Sequence, residues 1–255
     1  MLLTLDCGTI DEDSLRALKL LTEDEDVEVT GLYVEDEDLF RAARLPGMAE
    51  VSATGEVTTL NHDHLTAQIS REAQRARNQF ESFVHNLRLR GSFQIARGRV
   101  VETLVNAAAN SDYVVVSRSL RSSGLRTRHG SHFEPLIQNQ QNLLFVNEPW
   151  RSGSSVVVLC ESSPGQCERA MTIARRFAAD GNLSLIIALP NSNQTAADSA
   201  FQQVVMQSWN EDAIVELCAS ADARLLIVPP TSRLDWRQLL LALVDRLPCS
   251  LLRLE

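Results

Sequence analysis

The residues with the clearest chemical potential lie between Ser117 and His132, where Arg118, Arg121, Arg126, Arg128, His129 and His132 fall in one short stretch. Guanidinium forks match the geometry of phosphate and carboxylate. Ser131 stands where a short helix is predicted to begin, so free backbone N–H groups there would add to the attraction for an anion. The same stretch also reads as a solvated basic loop, or as one that pairs with the acidic first 38 residues of its own or another subunit. The histidines form two small groupings, His62-Asp63-His64 and His129-x-x-His132. A metal centre needs three or four convergent ligands, so no metal site is expected. Cys7 and Cys160 each follow a predicted strand, at the carboxyl ends where open α/β sheets place their ligands. Core packing or pocket lining is expected of them, with a redox-sensing thiol as the alternative.

Several chemistries are excluded by what is missing. Lys19 is the only lysine and no glycine-rich loop precedes it, which removes the residue that Walker-type NTPases, protein kinases and Schiff-base enzymes require. No G-x-S-x-G elbow is present. Five cysteines, odd in number and without a C-x-x-C pair, argue against a disulfide framework or a zinc ribbon. Trp150, Trp209 and Trp236 are isolated and make no platform for stacking bases.

Charge is unevenly spread. Residues 1–38 hold thirteen acids against Arg16 and Lys19, residues 39–150 nine acids against thirteen arginines, and residues 151–255 eleven acids against nine arginines, giving −9 over 255 residues. Nucleic acid needs a dominant basic face and is not an expected partner. No window approaches the ~18 apolar residues that span a bilayer, and the opening turns acidic too soon for a signal peptide. A cytoplasmic protein without membrane partners is the expectation, and 44% hydrophobic residues with mean hydropathy −0.09 suit an ordinary globular chain.

The elements that must position these residues alternate. Strands are predicted at 2–6, 27–34, 93–96, 113–116 and 142–146, with helices at 14–21, 64–90, 100–110 and 131–138. The polar segment 35–61 reads as an excursion from the core. In the helix at 64–90, Leu65, Ile69, Ala73, Ala76, Phe80, Phe83, Val84 and Leu87 share one face at the helical period. Residues 149–155 read as a linker. The order then repeats, with strands at 155–160, 183–189, 204–206, 224–228 and 249–254 and helices at 165–179, 212–221 and 235–247. A shift of 110 residues lays Leu104, Val105, Ala108 and Asp112 over Ile214, Val215, Cys218 and Asp222, and Ile95 over Val205. Two copies of one α/β unit follow, over residues 1–148 and 149–255. The expected fold is a pair of open, mainly parallel five-stranded sheets with helices on both faces.

At this point the sequence resembles the universal stress protein family in its tandem two-domain form. The resemblance rests on Leu-Thr-Leu-Asp at 3–6, Thr-Gly-Leu-Tyr-Val-Glu-Asp at 30–36, Ser-Asp-Tyr-Val-Val-Val at 111–116, Gly130-Ser131, and Arg-Leu-Pro-Cys-Ser-Leu-Leu at 246–252. It implies an adenine-nucleotide alpha-hydrolase-like fold packed as an internal pseudo-dimer. It also implies pairing through the last strands, which contain Leu143 to Val146 and Leu251-Leu252, either between the two halves or between chains as a homodimer.

ATP-binding members use a carboxylate ending the first strand and a valine ending the second for adenine, and a loop G-x-x-G-x9-G-[ST] for ribose and phosphates. Asp6 and Val34 match the first two, and Gly130 and Ser131 match the end of the loop. Its first two glycines fall on Ser117 and Leu120, with Arg118 between them. Leucine obstructs the close backbone approach that glycine permits, so arginines would have to compensate for a nucleotide or another anion to bind. Cys160 takes the carboxylate position in the second copy, where nucleotide is not expected. The resemblance implies a non-enzymatic stress-response regulator that binds a ligand or partner. The alternatives are an ATP-binding protein with slow hydrolase activity and an interaction scaffold whose pocket has decayed.

Overall fold

The computed structural model describes residues 1–5, 19–21, 27–45, 47, 49–51, 55, 57–59, 62–117, 133–139, 142–147, 152–160, 167–190, 201–229 and 236–254. Its first half comprises β1 (Leu2–Leu5), β2 (Glu28–Asp36), α1 (Glu37–Ala42), β3 (Ala49–Val51), β4 (Val57–Thr59), α2 (His62–Leu87), β5 (Arg90–Gly98), α3 (Val100–Ala108), β6 (Tyr113–Ser117), α4 (Glu134–Asn139) and β7 (Asn142–Val146). The second half comprises β8 (Ser155–Leu159), α5 (Glu168–Gly181), β9 (Ser184–Leu189), β10 (Gln202–Val205), α6 (Glu211–Ser220), β11 (Ala223–Val228), α7 (Trp236–Arg246) and β12 (Ser250–Arg253). Residues 19–21 are helical and carry the buried Leu20 and Leu21; the rest of the helix predicted at 14–21 lies outside the described residues.

Ten strands form one sheet in the order β10-β9-β8-β11-β12-β7-β6-β1-β2-β5. Read from its own first strand, each half follows the same plan: third, second, first, fourth, fifth. Within each half the strands are parallel, so each connection must cross a face of the sheet, and helices α2 to α7 supply six of those crossings. The halves meet where β12 runs antiparallel to β7, with Leu251 opposite Phe145, Leu252 opposite Leu144 and Arg253 opposite Leu143. Of the two pairings that the resemblance implies for the last strands, between the halves or between chains, the one within the chain is therefore present. Asn147 fixes the junction further, its backbone N–H donating to Ser250 Oγ at 2.9 Å and its side-chain amide to the Pro248 carbonyl at 2.6 Å.

Central strands such as β7 and β8 are buried along their whole length, as continuous apolar runs in a sheet covered on both faces must be. One core layer lies beneath α2 and α5 and the other beneath α3, α4, α6 and α7. Helix α2 buries Ile69, Ala73, Ala76, Phe80 and Phe83, the stripe its period predicts. The 110-residue correspondence also has a structural basis. Leu104 and Ala108 of α3, and Ile214 and Cys218 of α6, fill the same layer at the same helical spacing.

The excursion at 35–61 departs from expectation by containing a helix and a hairpin. Helix α1 is stabilised locally: the Asp36 carboxylate accepts from the Asp38 N–H at 2.9 Å, and Arg41 pairs with Glu37 one turn earlier at 2.7 Å. It buries Phe40, while β3 and β4 form a separate antiparallel pair. The second half has only residues 190–201 between β9 and β10, too few for a counterpart of α2.

The chain enters β8 through Gly153 at φ +102°, where an added Cβ would lie 2.6 Å from the Arg224 nitrogen and 2.8 Å from the Ala223 carbonyl oxygen. Arg224 clamps this entry by donating from Nε and Nη2 to the Gly153 carbonyl. Gly153→Ala is expected to cost about 1–3 kcal/mol through backbone strain, read as a lowered urea midpoint. A midpoint equal to that of the parent protein would show that this entry is not held as described.

Candidate functional site

In an open α/β sheet, a crevice forms at the carboxyl ends of neighbouring strands whose connections leave toward opposite faces. In the first half this reversal lies between β1 and β6, which pair with Leu3 opposite Val115. The buried hydroxyl of Thr4 donates to the Val115 carbonyl at 3.0 Å, tying the two strands just below their ends. Val34 lies beside this point on β2, half-buried and packed toward the α3 and α4 layer, opposite Ala96 of β5. Ser117 is the last residue of β6, opposite Val146 of β7. Asp6, Arg118, Gly130 and Ser131 lie outside the described residues, as do Cys7, His129 and His132. Of the six predicted site residues, the structure thus places Val34, two residues before the end of β2, and Ser117, at the end of β6.

A charged cluster at the same end of the sheet was not legible as a unit in the sequence. Arg97, near the end of β5, binds Glu35 of β2 through Nη2 at 2.7 Å and Nε at 2.9 Å, and its guanidinium lies 4.3 Å from the centre of the Phe40 ring. Phe40 in turn packs against His62, with ring centroids 6.1 Å apart. Arg99 pairs with Glu102 at 3.2 Å. The hydrogen bond and charge of Glu102, with the charges of Asp38 and Glu37 behind them, push the Arg99 guanidinium above its ordinary pKa. The signal was available: Glu35 and Arg97 are register partners on adjacent parallel strands, but register cannot be read before the strands are paired.

The corresponding reversal in the second half lies between β8 and β11. There Cys160, which follows β8, is fully buried, and Pro229, which follows β11, is buried too. The Cys160 backbone N–H donates to Ala188 at 2.9 Å, and its side chain belongs to the core layer beneath α5. The position equivalent to Asp6 is therefore packed with apolar neighbours in the second half. Among the described residues no group of His, Cys, Asp or Glu is arranged to hold a metal, and no helix is long and apolar enough to cross a membrane.

The whole chain superposes on a universal stress protein from Archaeoglobus fulgidus, covering 100% of this chain and 96% of that one, with a TM-score of 0.56 at 12% identity. The fold is that of the universal stress proteins. A putative universal stress protein from Pseudomonas aeruginosa UCBPP-PA14 covers 99% of this chain and 91% of its own, with a TM-score of 0.53 at 11% identity. A functionally unknown protein from Pseudomonas aeruginosa PAO1 gives the same coverage, with a TM-score of 0.57 at 10% identity. No family model and no curated protein sequence matches the chain. The universal stress protein fold thus extends through both halves of this chain, at identities that speak to the fold alone.

Proposed function

We propose that the chain is a non-enzymatic, cytoplasmic stress-response regulator. In this reading its first half, residues 1–148, binds an adenine nucleotide or a related anion, and its second half, residues 149–255, is a packing partner without a nucleotide site. The observation that carries this reading is the contrast between the two strand reversals. In the first half the residues next in sequence after the neighbouring strands β1 and β6 are Asp6 and Arg118, a carboxylate and a guanidinium. In the second half the same place holds the buried Cys160. Asp6 and Val34 would define the base, and Ser117, Arg118, Gly130 and Ser131, with the neighbouring arginines, the ribose and phosphates. Guanidinium forks replace the backbone donors that glycines at 117 and 120 would have exposed. The only lysine, Lys19, is exposed within the helical segment 19–21, and ligand-dependent ordering rather than turnover is the mechanism.

The test is mass spectrometry of small molecules released by denaturing the purified protein, followed by thermal shift with added ATP and adenosine. Stoichiometric adenine nucleotide, or a shift equivalent to roughly 2.7 kcal/mol at a hundredfold excess over Kd, is expected. Asp6→Ala should abolish that shift while leaving the ligand-free melting curve unchanged. Arg121→Ala or Arg126→Ala should weaken ATP at least ~10-fold more than adenosine, the scale of one charge-assisted phosphate contact. An empty protein that gains nothing from ATP would overturn the nucleotide reading in favour of a scaffold. Release of ADP at more than one equivalent would overturn the non-enzymatic part.

A further inference from the structure

The described cysteines occur as two pairs, both in the second half. Cys160 shares the core layer beneath α5 with Cys167, and Cys218 shares the opposite layer with Cys249. All four are buried, and none is in a disulfide. In each pair the two side chains are in hydrogen-bonding contact. That contact, reinforced by burial, holds Cys160 and Cys218 in the protonated form.

The pairs differ in where the helix places them. Cys167 is the N-cap of the fourteen-residue α5 and makes no side-chain cap bond. A sulfur there sits at the positive end of the peptide dipoles, where a thiolate is favoured. Glu168 in the first turn opposes this, but it is exposed and screened by water. Cys218 stands in the last turn of α6 (Glu211–Ser220), at the negative end, where a thiolate is disfavoured. Cys167 also retains 5% exposure, whereas Cys218 has none.

From the contact between the thiols, their opposite placement on α5 and α6 and the residual exposure of Cys167, we infer that Cys160 and Cys167 form a peroxide-oxidisable dithiol while Cys218 and Cys249 stay reduced. The Cys167 thiolate attacks one oxygen of a hydroperoxide; the O–O bond breaks, and the leaving oxygen takes a proton and departs as water or an alcohol. The resulting Cys167 sulfenic acid is attacked by the Cys160 sulfur. The S–O bond breaks as the S–S bond forms, and the departing hydroxide takes the Cys160 proton as a second water. In total, two thiols are oxidised to a disulfide and one peroxide is reduced. The bond would tie the end of β8 to the start of α5. This inference concerns the second half and stands apart from the nucleotide reading.

The full-length protein is exposed to hydrogen peroxide, quenched, alkylated under denaturing conditions and mapped by mass spectrometry. The expected product lacks two hydrogens, links Cys160 to Cys167 and is reversed by dithiothreitol, forming on the order of tenfold faster than any linkage of Cys218 to Cys249. In Cys160→Ser, Cys167 should accumulate a dimedone-reactive sulfenic acid without a disulfide. In Cys167→Ser, Cys160 should stay reduced. Equal or faster linkage of Cys218 to Cys249, a linkage that engages Cys7 instead, or no linkage in a protein that remains folded would each overturn the inference. So would dimedone labelling of Cys160 in Cys167→Ser.

Discussion

Replacing Phe145 by alanine is expected to lower the unfolding free energy by about 3–5 kcal/mol, the cost of removing a large side chain from a core that cannot collapse around the gap. Phe145 is 1% exposed on β7 and packs edge-on against Phe133 with centroids 5.4 Å apart. It faces Val116 of β6 on one side and Leu251 of β12 on the other. The second neighbour gives this substitution its diagnostic value. Because β7 and β12 are adjacent in one sheet, the cavity opens in a layer shared by both halves, so the variant should still unfold in a single, earlier transition. Urea unfolding followed by tryptophan fluorescence and circular dichroism would show coincident curves. Two separated transitions would mean that the antiparallel junction does not couple the halves, and a loss below about 1 kcal/mol would mean that the site repacks.

The fold was legible because its signals are local. The stripe of α2 repeats at the helical period through seven turns, and the doubly buried strands read as apolar runs ended by polar residues. The internal repeat was legible because α3 and α6 have the same job in the same layer, which forces similar residues at a fixed spacing. Sequence could not choose between pairing of the last strands within the chain and between chains, since both bury the same leucines. What decides it is the antiparallel register of β7 with β12.

Helix α1 was missed for a different reason. Its six residues are held by the Asp36 cap and the Arg41–Glu37 pair rather than by a periodic apolar face. The Glu35–Arg97 pair and the two thiol pairs were missed because each joins residues whose proximity is a product of topology. Of the candidate site, only the parts at strand ends were legible, because a strand that ends in a particular residue fixes that residue at the rim of the sheet. Ser117, the last residue of β6, is such a case, whereas Val34 lies two residues before the end of β2 at Asp36.

Converting Cys160 to aspartate, the residue type at position 6 in the first half, is expected to destabilise the protein without creating a second nucleotide site. Cys160 is 0% exposed and surrounded by the apolar layer beneath α5. An unpaired buried carboxylate costs about 3–5 kcal/mol when charged, so the group would instead hold its proton in the folded state and its pKa would rise. The folded variant would then bind more protons than the unfolded chain. Its stability must therefore fall as pH rises above the unfolded aspartate value of roughly 3.9. The melting-temperature gap to the parent protein should be smallest near pH 4 and widen toward neutrality, levelling off only above the raised folded-state pKa, and ATP should give the variant no shift beyond that of the parent. A gap that stays small and constant across this range would show that position 160 opens to water. The two strand reversals would then be equivalent crevices, and the contrast on which the functional reading rests would be lost.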